Sequence, residues 1–250
     1  MKPKLLITLG DSLTEGIGCI DVNTIPDNFN PNTDFETLFE LYHLNTENFK
    51  KGCWPTKLKE KLKYDELINL GLGGASTSGN IKQLLAEYPT EHFDDYEVLV
   101  IWLLTDPTRI SFYINGFIEN QNVGNHRGES PIMEAYISKI KDNDPILEQI
   151  FYIKLMEEIC GNRNWNLLIT YWGPWGEELM KQYKTDKYLS PYYNPIIPPN
   201  LYDSKNIKYR SPICDHPNEL GYEYMSNMIY NRIQEYHPHY ITKSLDTKIL

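Results

Sequence analysis

No apolar run in these 250 residues approaches the roughly 20 needed for a membrane-spanning helix. A basic surplus is also missing. The 24 Lys and Arg against 34 Asp and Glu leave a net charge of −10, which argues against a general nucleic-acid binder, whose phosphate contacts need a basic stripe. Cysteine is sparse: Cys19, Cys53, Cys160 and Cys214 show no C-x-x-C pairing, so neither a zinc site nor a disulfide framework is expected. Reduced thiols fit an intracellular, cytoplasmic protein. The apolar stretch after Lys4 is too short for a secretory leader, and no small-residue cleavage site follows it. There is no internal repeat and no linker between two cores. With 41% hydrophobic residues, the chain is expected to form one domain over 1–250, large enough for a substantial core.

What the chain does have is a polar turn directly after a strand-like run. Leu5-Leu6-Ile7-Thr8-Leu9 is bounded by Pro3 and Gly10 and is followed by Gly10-Asp11-Ser12-Leu13-Thr14-Glu15-Gly16. Ligands of open α/β sheets bind beyond the carboxyl ends of the strands, so Ser12 sits where a reactive side chain would be useful. A plain strand-to-loop turn reads equally well from this segment alone. At the far end, Cys214-Asp215-His216-Pro217-Asn218-Glu219-Leu220-Gly221-Tyr222 places an imidazole just before a helix, with Pro217 in its first turn and Leu220, Tyr224, Met228 and Ile229 at helical spacing. A hydroxyl and an imidazole far apart in sequence and joined by the fold are the pattern of nucleophile–base catalysis.

Three stretches taken in order carry a family resemblance: Gly10-Asp11-Ser12-Leu13, Asn69-Leu70-Gly71-Leu72-Gly73-Gly74, and His216-Pro217-Asn218 with Gly221-Tyr222. The chain resembles the GDSL, or SGNH, hydrolases. The resemblance implies a three-layer α/β/α sandwich with a mainly parallel, flavodoxin-like sheet, and hydrolysis of an ester or O-acyl group without metal or cofactor. It also implies Ser12 as nucleophile, His216 as base, and the Ser12 and Gly74 amides as oxyanion donors. Two departures stand out. The family's Gly-x-Asn-Asp block is represented by Thr105-Asp106, which puts a threonine where the third oxyanion donor belongs. The triad aspartate, usually three residues before the histidine, is replaced by Ile213. Asp215 is the nearest substitute, with Asp203, Glu219 or a backbone carbonyl as alternatives.

Between these motifs, the segment 20–51 is polar and reads as a long loop insertion, a flap over the cleft or a surface excursion, with a helical turn or two at Phe35–Tyr42. Trp54–Lys63 reads as the first crossover helix, Glu66–Leu70 as the second strand and Ile81–Tyr88 as a helix with Ile81, Leu84 and Leu85 inward. The continuous apolar run Val98–Leu104 is expected to be a central strand buried on both faces. A second polar insertion follows at 111–130, where His126 reads as a solvated or packed residue. Pro131–Lys141 looks helical. Asp144-Pro145 starts a clearer helix with Leu147, Ile150, Phe151, Leu155 and Ile159 inward and Gly161 as its stop. Asn166–Trp172 is a further strand, and 182–210 is a tyrosine- and proline-rich insertion that with Trp172 and Trp175 suits a sugar or acyl wall, a packed extension or an oligomer contact. Asp11, Arg109 and Trp172 are candidate substrate contacts. Asp11 also suits loop bonding, and Arg109 suits bracing through Asp106. The partner is expected to be a small-molecule or carbohydrate ester. The alternatives are an O-acyltransferase on the same site and a degenerate hydrolase scaffold serving as a binding protein.

Overall fold

The computed structural model describes residues 2–31, 33–114, 117–122, 145–193 and 207–241. Its centre is a four-stranded, all-parallel sheet in the order β2-β1-β3-β6, formed by β1 (Lys4–Gly10), β2 (Glu66–Gly71), β3 (Glu97–Leu104) and β6 (Asn166–Tyr171). Side chains alternate across a strand, and β3 uses both faces. Val98, Val100, Trp102 and Leu104 join one buried cluster, and Leu99, Ile101 and Leu103 join the other. The first cluster is closed by α5 (Thr77–Glu87), α6 (Pro145–Asn162) and α7 (Trp175–Gln182). The second is closed by α4 (Trp54–Leu62) and α8 (Glu219–Tyr236). Helices on both faces of a parallel sheet give the expected three layers.

The strand order reverses between β1 and β3. That switch point is where doubly wound sheets open a crevice at their carboxyl ends. Ser12 follows β1, the Gly73-Gly74 turn follows β2, Thr105 follows β3 and Trp172 follows β6, so all four lie on one rim.

Several local expectations shift. In the segment 20–51 the expected helical turns at Phe35–Tyr42 form α2 (Phe35–Leu44), and a second helix, α3 (Thr46–Gly52), follows; the two meet at Asn45, whose side chain accepts from the Asp21 amide and donates to the Leu41 carbonyl. The segment 111–130 begins as an antiparallel hairpin, β4 (Arg109–Ile114) with β5 (Phe117–Asn122). Helix α5 starts four residues early because Ser76 caps it through the Gly79 amide, and Leu85 faces outward. On α6 the buried stripe is Ile146, Gln149, Ile153, Met156 and Cys160, whereas Leu147 and Phe151 are 59% and 61% exposed. The expected Ile150, Leu155 and Ile159 pack partly buried against the same cluster, and Gln149, a polar residue, takes a core position and donates to the Thr105 carbonyl. The helix also runs through Gly161 to Asn162. Helix α8 begins after Pro217, with Asn218 as its N-cap, and buries Tyr222, Met225, Ile229 and Ile233 while Leu220 is 52% exposed. His126, Pro131–Lys141, the proposed cap Asp144, and Asp203 lie outside the described residues. Among the described residues no helix is long and apolar enough to cross a membrane.

Candidate active site

Ser12 opens the one-turn helix α1 (Ser12–Glu15). The preceding residue, Asp11, caps it: its Oδ1 accepts from the Leu13 amide at 3.0 Å. Gly16 ends the turn in the left-handed region at φ 99°. The chain before Ser12 is fixed by a residue that motif reading passed over. Asn80 is fully buried, donates to the Gly10 carbonyl at 2.9 Å and accepts from the Trp102 indole at 3.0 Å. Asn69, the first residue of the glycine-rich motif, does the same beyond Ser12. It donates to the Thr14 carbonyl at 2.9 Å and accepts from the Thr8 hydroxyl and the Gly71 amide, each at 3.0 Å. An asparagine in an apolar helix or at the end of a strand is the sequence signal for such clamps, because a buried amide needs several partners.

His216 arrives from the opposite end of the chain. Its loop is a narrow turn in which the Ser211 amide donates to the His216 carbonyl at 2.9 Å. The Asn218 side chain caps α8 through the Gly221 amide and donates to the carbonyls of Lys208 and Arg210. Tyr222, one turn into α8, donates to the Ile17 carbonyl at 2.6 Å and lies 3.4 Å from that of Ser12, docking the helix on the nucleophile turn. As a result, His216 Nε2 lies 2.8 Å from Ser12 Oγ across 204 positions of sequence. For Nε2 to accept the hydroxyl proton, the imidazole must be neutral with its proton on Nδ1.

Burial pushes the His216 pKa below its ordinary 6.5. The charge of Asp11 opposes that shift, and the Arg109 guanidinium adds to it. The imidazole is therefore neutral to a lower pH than an ordinary histidine. The acid limb of kcat/KM is expected below pH 6.5, and a profile falling at or above that value would contradict this environment.

The third member of the expected triad is elsewhere. Asp215 turns outward, 91% exposed, and accepts from Arg210 Nη2 at 2.7 Å. His216, beside it in the same narrow turn, points inward to Ser12. Glu219 pairs with Lys57 at 3.1 Å. His216 Nδ1 is buried and has no hydrogen-bond partner among the described residues. Replacing Asp215 with Asn is accordingly expected to change kcat/KM by less than about threefold, the scale of a surface ion pair. A loss of several orders of magnitude would show that Asp215 acts on the imidazole.

On the other side of Ser12, Leu72-Gly73-Gly74-Ala75 is a type II turn, closed by the Ala75 amide on the Leu72 carbonyl at 3.0 Å. Gly74 is at φ 74°, the conformation that this turn reserves for glycine. Thr105 is fully buried, with its hydroxyl 3.2 Å from that of Thr77. Its Oγ1 is thus engaged inside the structure rather than at the cleft surface.

Arg109 does not brace its loop through Asp106. Asp106 Oδ1 accepts from the amide and hydroxyl of Thr108, while Arg109 Nη1 reaches back to Asp11 Oδ2 at 2.5 Å. The Asp11 side chain is 0% exposed and that of Arg109 is 17% exposed, so Asp11 is committed to capping and to this ion pair. The guanidinium also lies 6.0 Å from the Trp172 ring. In the tyrosine-rich segment, Tyr183 donates to Glu157, Tyr188 is buried against β6, and Tyr193 stacks on Tyr171 with ring centroids 5.6 Å apart. These three are packing residues of the β6 edge. Residues 194–206 lie outside the described residues.

The doubly wound sheet thus carries a serine after its first strand and a histidine before its last described helix. Among solved structures, the chain is similar to a carbohydrate esterase at 14% identity and TM-score 0.51, over 94% of this chain and 66% of that one. It is also similar to an acetyl xylan esterase from the rumen bacterium Butyrivibrio proteoclasticus (13% identity, TM-score 0.49, 97% of this chain and 66% of that one). A third is a lipase from a goat rumen metagenome (15%, 0.46, 92% and 97%). No protein-family model and no curated protein sequence matches the chain.

Proposed function

We propose that the protein is a serine ester hydrolase of the GDSL/SGNH type acting through an acyl-enzyme. The observation that carries this reading is the 2.8 Å contact between Ser12 Oγ and His216 Nε2 at the switch point of the sheet. His216 Nε2 takes the hydroxyl proton as Ser12 Oγ bonds to the ester carbonyl carbon. The oxyanion then forms facing the Ser12 and Gly74 amides. The C–O bond to the alcohol breaks as Nε2 returns the proton to the leaving oxygen. Water repeats the cycle, with its proton passing through His216 and its oxygen leaving in the acid. Every step uses groups of this chain and water.

The buried position of the Thr105 hydroxyl favours an oxyanion site built chiefly from backbone amides. The Nδ1 environment favours a Ser12–His216 dyad as the working unit among the described residues. Carbohydrate O-acetyl groups are the substrate class to test first, given the carbohydrate esterase of like fold. The test is a panel of acetylated sugars and aryl esters of graded acyl length, each assayed with wild type and Ser12→Ala. Ser12-dependent release of acid supports the reading. Folded protein with no Ser12-dependent turnover and no labelling by a fluorophosphonate would favour a retired scaffold that only binds. Product formed by transfer to an added sugar alcohol in preference to water would favour the acyltransferase.

A further inference from the structure

The nucleophile helix carries a second functional-looking side chain, which the mechanism above does not use. Glu15 is the last residue of α1, three positions after Ser12, and its Oε2 accepts the Gly73 amide at 2.7 Å. Gly73 is the first central residue of the type II turn whose second central residue is Gly74. The two segments are in close contact elsewhere as well. A Cβ on Gly71 would lie 2.3 Å from the Glu15 amide nitrogen, so a larger residue there would force β2 and α1 apart. We infer that Glu15 is a positioning residue for the oxyanion turn, its carboxylate tying the Leu72-Gly73 peptide, one residue ahead of the Gly74 amide, to the helix that carries Ser12. The inference rests on the hydrolase reading for its consequence in catalysis.

The chemistry suits the role. A carboxylate accepting an amide makes a charge-assisted bond, stronger than one between neutral groups. It also fixes where the next amide points, and a donor displaced by about 1 Å can cost on the order of 10²-fold in rate. Glu15 is partly buried on the wall of a cavity of about 420 Å3 that also touches Thr46, Phe49, Lys50, Leu67 and Asn69. The ionisable groups that face it are Asp11 from its own turn and, across the cavity, Lys50 of α3, itself paired with Glu47 at 2.9 Å. Among the described residues, strand β2 lines the cavity with Leu67, Asn69 and Gly71. Burial raises the Glu15 pKa above its ordinary 4.5. The Gly73 bond opposes that rise, and the Asp11 charge adds to it. The tie is therefore present when the carboxyl is ionised and weakens as pH falls through a value above 4.5.

The test compares Glu15→Ala and Glu15→Gln with wild type. Glu15→Ala is expected to lower kcat about 10- to 100-fold with KM within about twofold. Glu15→Gln, whose amide oxygen accepts the same bond, is expected to recover most of the loss. In 15N-labelled wild type, the Gly73 amide proton resonance should move upfield on acidification with a midpoint above 4.5, and it should stay put in Glu15→Gln. Wild-type kcat in Glu15→Ala, or a Gly73 resonance indifferent to pH in wild type, would overturn the inference. Absence of Ser12-dependent turnover in wild type would strike the hydrolase reading, and the Gly73 titration would still decide whether Glu15 holds the turn.

Discussion

Ser12→Ala is expected to lower kcat/KM for any ester substrate by at least about 10⁴-fold and to abolish fluorophosphonate labelling, with little change in melting temperature. The size follows from the chemistry: an alanine leaves no oxygen to form the acyl-enzyme, and nucleophile deletions in enzymes of this logic cost that much or more. The small effect on stability follows from the contacts. The Ser12 hydroxyl bonds to His216 Nε2, while the α1 turn is held by Asp11, Asn69, Asn80 and Tyr222. Residual activity within tenfold of wild type, measured on protein free of contaminating esterase, would mean that another group attacks the carbonyl.

The second large effect concerns Arg109. Removing its guanidinium leaves Asp11 fully buried without its ion partner, and breaking such a pair costs about 3–5 kcal/mol. For a chain of this size the melting temperature should fall on the order of 10 °C. Asp11→Asn combined with Arg109→Gln removes both charges together and keeps a side-chain oxygen for the Leu13 amide, so it should lose less than Arg109→Ala alone. Thermal unfolding of the three proteins checks both statements. An Arg109→Ala protein as stable as wild type would show that Asp11 finds other compensation. The same pair joins Asp11 and Arg109 beside Ser12.

The layers were legible in the sequence because strand alternation and apolar length are local signals. Val98–Leu104 can only be a strand covered on both faces, and the structure divides its side chains between two clusters. Ser12 and His216 were legible because each sits in a motif with its own turn chemistry. What the residues did not disclose were matters of direction. Leu147 and Phe151 fit a helical stripe as well as Ile146 and Ile153 do, and the choice was made by the sheet against which α6 packs. Asp215 had the right chemistry and the wrong side of the chain. The pairing of Arg109 with Asp11 spans 98 positions, and no local spacing reports a contact at that range. In 20–51 the helical turns at Phe35–Tyr42 were legible, with Asp34 as the cap of α2, whereas α3 was hidden because it follows Asn45 directly and has no side-chain cap.

The distance along the chain between Ser12 and His216 has a consequence during synthesis. At about 5–20 residues per second, the 204 positions that separate them take roughly 10–40 s to translate. Throughout that interval the Ser12 hydroxyl exists without the imidazole it meets in the folded chain. Helix α8, which seats the imidazole loop, is made later still. A chain released early, or stalled before that helix emerges, lacks the Ser12–His216 contact on which the proposed chemistry depends.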